Sequence, residues 1–250
     1  MDDSSVGEAA YRRIRSDIIF GRLAPGQRLG LDRMRETYGA SISTLRELLS
    51  RLASEDLVMA EGQRGFEVAA VSAAELQEVA ALRLLLETHA LEQSFAAGGL
   101  DWEGGVVSAH HKLAALERNL LAGKPADAAL WKRYDWEFHH ALIDACGSST
   151  LLKAHTAAYD RYLRYQMVAV VFRGEVAADE HRNLLDAALA RDAPTACELL
   201  RRHIDGCVAQ VLETGGLDAF TAGSSSPIRA SAGPRPAANG AGRRRPASSA

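Results

Sequence analysis

Asp135 and His139 stand four residues apart in the stretch DWEFHHAL at 135–142. On a helix their side chains lie about 40° apart around the axis and about 6 Å apart along it, close enough to converge on one ion. His140 points about 100° away from His139 and is excluded from that site. The same pair is also the pattern of a surface salt link or of a core histidine satisfied by a hydrogen bond, so a metal reading needs further ligands. Two later stretches offer them. His181 in DEHRNLLDAAL keeps helical step with Leu184 and Leu185, and His203 in ELLRRHIDGCV lies one turn after Leu199 and Leu200. Inward histidines are costly to bury without partners. A shared ion is one explanation, and a hydrogen-bond network with Tyr134, Tyr159 or arginines is another. His89, His110, His111 and His155 have no partner at useful spacing and read as ordinary polar positions.

A site drawn from three separate segments needs a rigid frame, and the segments that carry it have helical period. SAAE at 72–75 has the form of a capping box, and Leu76, Val79, Leu82, Leu86 and Ala90 then recur at helical spacing up to the glycines at 98–99. Similar logic predicts helices over 101–122, 125–145, 149–170, 176–191 and 194–213. Short links between such helices predict an antiparallel α-helical bundle over 72–214. Ahead of it, 7–71 has shorter, glycine-punctuated segments and reads as a second domain. Past Leu212 the chain is rich in Gly, Ser, Ala and Pro, so 215–250, with its RRR at 243–245, is expected to be a disordered, solvated tail.

The 250 residues are 47% hydrophobic and 24% charged, the composition of a soluble protein with a real core. A net charge of −3 gives no overall basic field, so composition alone does not announce nucleic acid. Cys146, Cys197 and Cys207 are odd in number and lack CxxC spacing, which predicts reduced thiols, each a small core residue. The acidic start MDDSSVGEAA is unlike a signal peptide and no apolar run is long enough to cross a bilayer, so a cytoplasmic protein without a membrane partner is expected.

In the N-terminal segment Tyr11, Ile14 and Ile18 share one helical face, and GRLAPGQRL breaks that helix. The stretch from 31 to 58 then reads as helix, tight turn at Gly39, helix, with Met34, Leu45, Leu48, Leu49 and Leu52 facing a shared core. Two β-prone runs flank Gly62-Gln63-Arg64-Gly65, predicting a hairpin beside the second helix. The expected fold is mainly α, an N-terminal winged helix-turn-helix followed by an antiparallel α-helical bundle. Once the core is assigned, Ser41, Ser43, Thr44 and Arg46 remain outside at the start of the second helix. There, hydroxyls, backbone N–H groups and the positive helix end can meet phosphates and base edges. Arg64 would ride on the wing tip. Residues 1–70 hold 10 Arg and no Lys against 11 acidic residues, so attraction to DNA would come from local placement. A protein-binding helix-hairpin domain is the blander reading.

The run YRRIRSDIIFGRLAPGQRL, the block TLRELLSRLASEDLV and the segment GQRGFEV resemble the winged-helix half of the GntR family of bacterial transcription regulators over about residues 9–70. The resemblance implies that the second helix enters the major groove and the wing the minor groove, giving contact roles to Ser41, Ser43, Thr44, Arg46 and Arg64. Ile42 and Asp32 depart from positions where other members carry arginine, so the operator sequence does not carry over. DWEFHHALIDACGSSTLL and EHRNLLDAALARDAPTACELLRRHI resemble the metal-binding branch of the all-helical FCD domains of FadR-like members, extending the likeness to about 9–213. YDRYLRYQ and the wing further resemble the carbon-starvation-induced regulators of dicarboxylate catabolism.

The FCD resemblance implies that Asp135, His139, His181 and His203 hold a divalent ion. One carboxylate and three imidazoles suit Zn²⁺, Ni²⁺ or a similar ion. Positions left open on such an ion could accept the carboxylate of an effector, with Arg83, Arg161 or Arg164 completing the charge. The expectation is a homodimeric repressor on double-stranded operator DNA, controlled by a small carboxylate effector. The alternative is a metal-dependent hydrolase or isomerase; it lacks a motif for a general acid or base, since there is no HExxH, nucleophile elbow or glycine-rich phosphate loop.

Overall fold

The computed structural model describes residues 3–60, 62, 65–125, 127–169, 172–215 and 217. Arg64, proposed from the sequence as the wing-tip contact, lies outside the described residues, as does the RRR at 243–245.

The first part is built from α1 (Asp3–Ile19), β1 (Arg28–Leu29), α2 (Leu31–Tyr38), α3 (Ile42–Ala53), β2 (Val58–Ala60) and β3 (Phe66–Val68). The strands form a small antiparallel sheet in the order β1-β3-β2, with Leu29 opposite Phe66 and Val58 opposite Val68. Gly39 ends α2 at φ 70, a left-handed conformation open to glycine at little cost, and its N–H bonds to the Arg35 carbonyl. Two residues later Ser41 starts α3, its hydroxyl accepting from the Thr44 N–H. Ile14, Ile18, Met34, Leu45, Leu49 and Leu52 meet in one buried cluster, which fixes α3 against α1 and α2. The winged helix-turn-helix expected from the apolar spacing is therefore present.

The second part consists of α4 (Ala73–Ala97), α5 (Leu100–Leu121), α6 (Ala128–Ile143), α7 (Ser149–Ala169), α8 (Glu175–Leu189) and α9 (Ala193–Glu213). Ser72 caps α4 by accepting from the Glu75 N–H, Asp127 caps α6 through Ala129 and Leu130, and Asp192 caps α9 through Thr195. The Asp127 cap explains why α6 starts at Ala128 and not at Pro125, as the sequence pattern predicts. Helix α4 packs on α7 and α9, α5 on α6 and α8, and α8 on α9, so α6, α8 and α9 can all reach the interior. Cys146 and Cys207 are buried and Cys197 half-buried, all as free thiols.

Two expectations change. The inner face of α4 is not the row through Leu82 and Leu86: Leu82 is 44% exposed, while Arg83 and Glu87 are fully buried. Apolar periodicity misses this face because part of it is an ion pair. The tail reading from 215 onward also needs revision at its start, since Leu217 is buried against the bundle core.

Candidate metal centre and nucleic-acid interface

Helix α6 supplies Asp135 and His139 one turn apart, α8 supplies His181 and α9 supplies His203. All are buried, and one ligand atom from each lies within 4.8 Å of the others. Ligand bonds of about 2.1 Å put donors at most about 4.2 Å apart around one ion and about 3.4 Å apart in a tetrahedral shell, so the cluster would have to close slightly to hold a single cation. The side chains thus meet as the spacing suggests.

Each histidine is held by its own carboxylate. Glu87 of α4 lies 2.6 Å from His139 Nδ1, Glu117 of α5 lies 2.7 Å from His181 Nδ1, and Glu180 of α8 lies 2.8 Å from His203 Nδ1. A carboxylate accepts and cannot donate, so Nδ1 carries a proton in His139 and His181 and Nε2 is the nitrogen turned to the centre; His203 Nδ1 lies between Glu180 and the Arg173 guanidinium at 3.2 Å, the shorter contact being to Glu180. Nε2 of His139, Nε2 of His181 and Oδ1 of Asp135 are buried without a hydrogen-bond partner among the described residues. Buried acceptors that converge on one point are groups a bound cation would satisfy. The donor set fits a divalent ion. The other oxygen of Asp135 accepts from the Tyr159 hydroxyl at 2.7 Å and has Lys132 Nζ at 3.5 Å.

The electrostatics set the three histidines apart, burial lowering His139 and His203 while His181 is raised. Burial pushes His181 down, but the Asp135 carboxylate 3.3 Å from Nε2 and the Glu117 carboxylate at Nδ1 outweigh that and raise it to about 9. Burial also opposes charge on Asp135 and Glu87, yet Lys132 and the histidines hold the first well below the carboxylate range, and Arg83 and His139 hold the second there. Burial, only partly offset by Glu180, drives His203 down to about 3.

Arg83 is fully buried. Its Nε donates to Glu87 at 2.8 Å, its guanidinium lies 4.2 Å from the Tyr159 ring centre, and both terminal nitrogens lack partners among the described residues. Glu87 links it directly to His139. Arg161 and Arg164, predicted with it as effector contacts, are turned elsewhere. Arg161 pairs with Glu75 at 2.8 Å and Asp56 at 3.2 Å, and Arg164 donates to the Ala69 carbonyl at 2.6 Å, so both brace the junction between the two parts. Asp56 and Ala69 belong to the winged-helix part and Glu75 to the first turn of α4, so these partners hold both arginines at the junction.

His155 is a further correction. It reads as an ordinary polar position in sequence, yet it is fully buried with Nε2 3.1 Å from Glu87 Oε2. Its step to Tyr159 and Tyr162 on α7 is the signal that places it inward. Glu87, Glu117 and Glu180 were missed as well; only Glu87 had a local mark, its spacing of four from Arg83.

At the start of α3, Ser41 and Ser43 are exposed and Thr44 half-buried, and the Ser41 hydroxyl lies 2.8 Å from that of Ser43 and 2.9 Å from that of Thr44. Arg46 is exposed one turn on. The arrangement presents hydroxyls, a helix N-terminus and a guanidinium on one surface, the chemistry that DNA phosphates and base edges accept.

Residues 7–68 match the sequence family described as bacterial regulatory proteins, gntR family, and residues 78–206 match the FCD domain. The chain belongs to the GntR family. An uncharacterized HTH-type transcriptional regulator, BphR of Paraburkholderia xenovorans (strain LB400), is 37% identical over 213 residues, covering 84% of this chain and 87% of that protein. GlaR of Escherichia coli (strain K12), named an HTH-type transcriptional repressor, is 33% identical over 78% of this chain and 90% of its own length. In three dimensions E. coli McbR/YncC superposes with a TM-score of 0.71 at 20% identity, covering 83% of this chain and 97% of that one. A GntR structure from Rhodococcus sp. RHA1 gives 0.69 at 23%, covering 84% and 98%. These two superpositions show a shared fold. Membership also answers the hydrolase or isomerase alternative, because the family and its named relatives are transcription regulators. Glu137, the acidic residue between Asp135 and His139, is engaged with Lys112 and Arg133 away from the centre. Among the described residues no helix is long and apolar enough to cross a membrane.

Proposed function

We propose that this GntR regulator is a cytoplasmic homodimeric repressor. Its operator affinity is set by a small carboxylate bound beside a divalent ion held by Asp135, His139, His181 and His203. Zn²⁺ or Ni²⁺ suits the donor set, and the ion supplies Lewis acidity and charge when bound. The observation that carries this reading is the pairing of three pinned imidazoles and Asp135 with Arg83, whose two terminal guanidinium nitrogens are buried in the same bundle without a partner among the described residues.

The charge balance supports an anionic effector. Asp135, Glu87, Glu117 and Glu180 are four carboxylates around three cations, Arg83, Lys132 and Arg173. With His181 carrying its extra proton, as its two carboxylates favour, the stripped centre is neutral. A divalent ion would displace that proton and leave one excess positive charge, which a carboxylate neutralises. A metal-loaded centre therefore attracts an anion more strongly than a stripped one.

Entry of the effector and release of DNA are linked through burial. The four ligand side chains and Arg83 are at most 3% exposed, so an anion must part the helices to reach them. Tyr159, which donates to Asp135, is followed on α7 by Asp160, and Asp160 pairs with Arg15 of α1 at 2.6 Å. Arg15 also holds Glu55 at 2.9 Å just after α3. Displacement of α7 at the centre is thus delivered to the DNA-reading part by adjacent residues. In a dimer, that movement changes the spacing of two recognition helices, and operator affinity with it.

The test combines elemental analysis of purified protein with a thermal-shift screen of mono- and dicarboxylates, repeated after chelation. A carboxylate that raises the midpoint only in the metal-loaded protein supports sensing. A midpoint that falls on chelation with no response to any carboxylate assigns the ion a purely structural role.

A further inference from the structure

A second cavity lies where the two parts of the chain meet, apart from the metal centre. Its volume is about 250 Å³, below the roughly 300 Å³ at which pockets for drug-sized ligands begin, so it suits one ring or a short hydrocarbon chain. Ile19 and Phe20 at the end of α1, Trp136 of α6 and Leu163 of α7 give it apolar walls.

Its polar groups are asymmetric in charge. Arg15 and Asp160, which also line it, neutralise each other at 2.6 Å. That leaves Arg12 and Arg133, two exposed guanidiniums from different halves of the chain. Arg12 has no ion-pair partner among the described residues; its Nε reaches only the Glu8 carbonyl at 3.4 Å. Arg133 holds Glu137 through Nε at 3.0 Å. Trp136 adds a buried indole N–H without a hydrogen-bond partner among the described residues. A buried donor without a partner on a residue that lines the cavity, together with two guanidiniums at its rim, suits an acceptor that brings negative charge.

We propose that this interdomain cavity binds a small amphipathic anion, an aryl or short alkyl carboxylate. The hydrocarbon lies against Phe20, Trp136 and Leu163, and the carboxylate is held by Arg12 and Arg133. Because its walls come from both parts of the chain, the ligand bridges α1 to α6 and α7 and favours the arrangement in which those helices are packed together. The site works without the ion, so it stands or falls separately from sensing at the metal centre.

The experiment is calorimetric titration of the full chain with 4-phenylbutyrate, metal-loaded and after chelation. Saturable binding at a single site with a dissociation constant below about 1 mM is expected in both forms. The double variant Arg12→Gln with Arg133→Gln weakens it by about tenfold or more, and the corresponding double lysine variant, which keeps the charge without the planar fork, restores part of the affinity. Trp136→Phe, which removes only the indole N–H, weakens it by a smaller factor. Both arginines are exposed, so their replacement leaves the thermal midpoint in place. Binding that is absent up to millimolar concentration, or equally strong in the glutamine variant, overturns the proposal. Binding that disappears on chelation or in His181→Ala also overturns it, since the anion then occupies the metal centre.

Discussion

Glu117 lies 2.7 Å from Nδ1 of His181 across the interface of α5 and α8, and the His181 Nε2 on the far side of the ring stands 3.3 Å from Asp135. The helix that carries no ligand therefore decides which nitrogen of a ligand faces the centre. Because both residues are almost fully buried, solvent cannot take over the role of Glu117.

Replacing Glu117 tests that relationship. Glu117→Gln retains an acceptor but removes the charge, and the metal affinity is expected to fall by about tenfold; Glu117→Ala removes both and should approach about a hundredfold. Competition against a chromophoric chelator reads both values. Wild-type affinity in the alanine variant contradicts a positioning role.

Arg83 separates metal binding from effector binding. Arg83→Lys keeps a cation beside Glu87 but loses the planar fork that suits a carboxylate. Metal content should match the wild type while affinity for the responsive carboxylate drops about tenfold or more. Loss of both together would place Arg83 in the scaffold of the centre instead.

Much of this was legible before any coordinates. Asp135, His139, His181 and His203 stood in register with apolar residues on helices whose boundaries were marked by glycines and capping residues, so periodicity allowed each to face inward, and it was the resemblance to the FCD domains that implied a shared ion. The carboxylates that hold them were not legible, because each acts across a helix interface: Glu87 is 52 residues from His139, Glu117 is 64 from His181 and Glu180 is 23 from His203. Apolar periodicity also misassigned α4, since it counts hydrophobic residues and the buried face there includes Arg83 and Glu87. Arg161 and Arg164 look like Arg83 in sequence; only the packing of α7 against the junction shows that Glu75 and Ala69 engage them.

Arg46 tests the DNA-reading surface. If it contacts a phosphate, Arg46→Ala reduces the salt dependence of operator binding by about one counterion; if it contacts a base edge, affinity falls by about 1–3 kcal/mol at fixed salt. Fluorescence anisotropy across a salt series distinguishes the two. An unchanged affinity and slope would remove Arg46 from the interface.

The bridge between Arg15 and Asp160 tests the coupling route. Asp160→Asn removes the charge at α7 while preserving its size, and burial already raises this carboxyl, so the fold should tolerate the change. DNA affinity without effector should stay near wild type while the effector-induced loss of affinity shrinks. A full effector response in this variant would show that coupling runs elsewhere.

Operator release by the metal-loaded protein probes the central claim most directly. The measurement is anisotropy of a labelled duplex selected by the protein, titrated with the carboxylate that raises its thermal midpoint. The account predicts that the carboxylate releases DNA from loaded wild type, fails to do so after chelation or in His139→Ala and His181→Ala, and acts again when metal is returned to the stripped wild type. Release that proceeds equally without metal, or in both histidine variants, contradicts it.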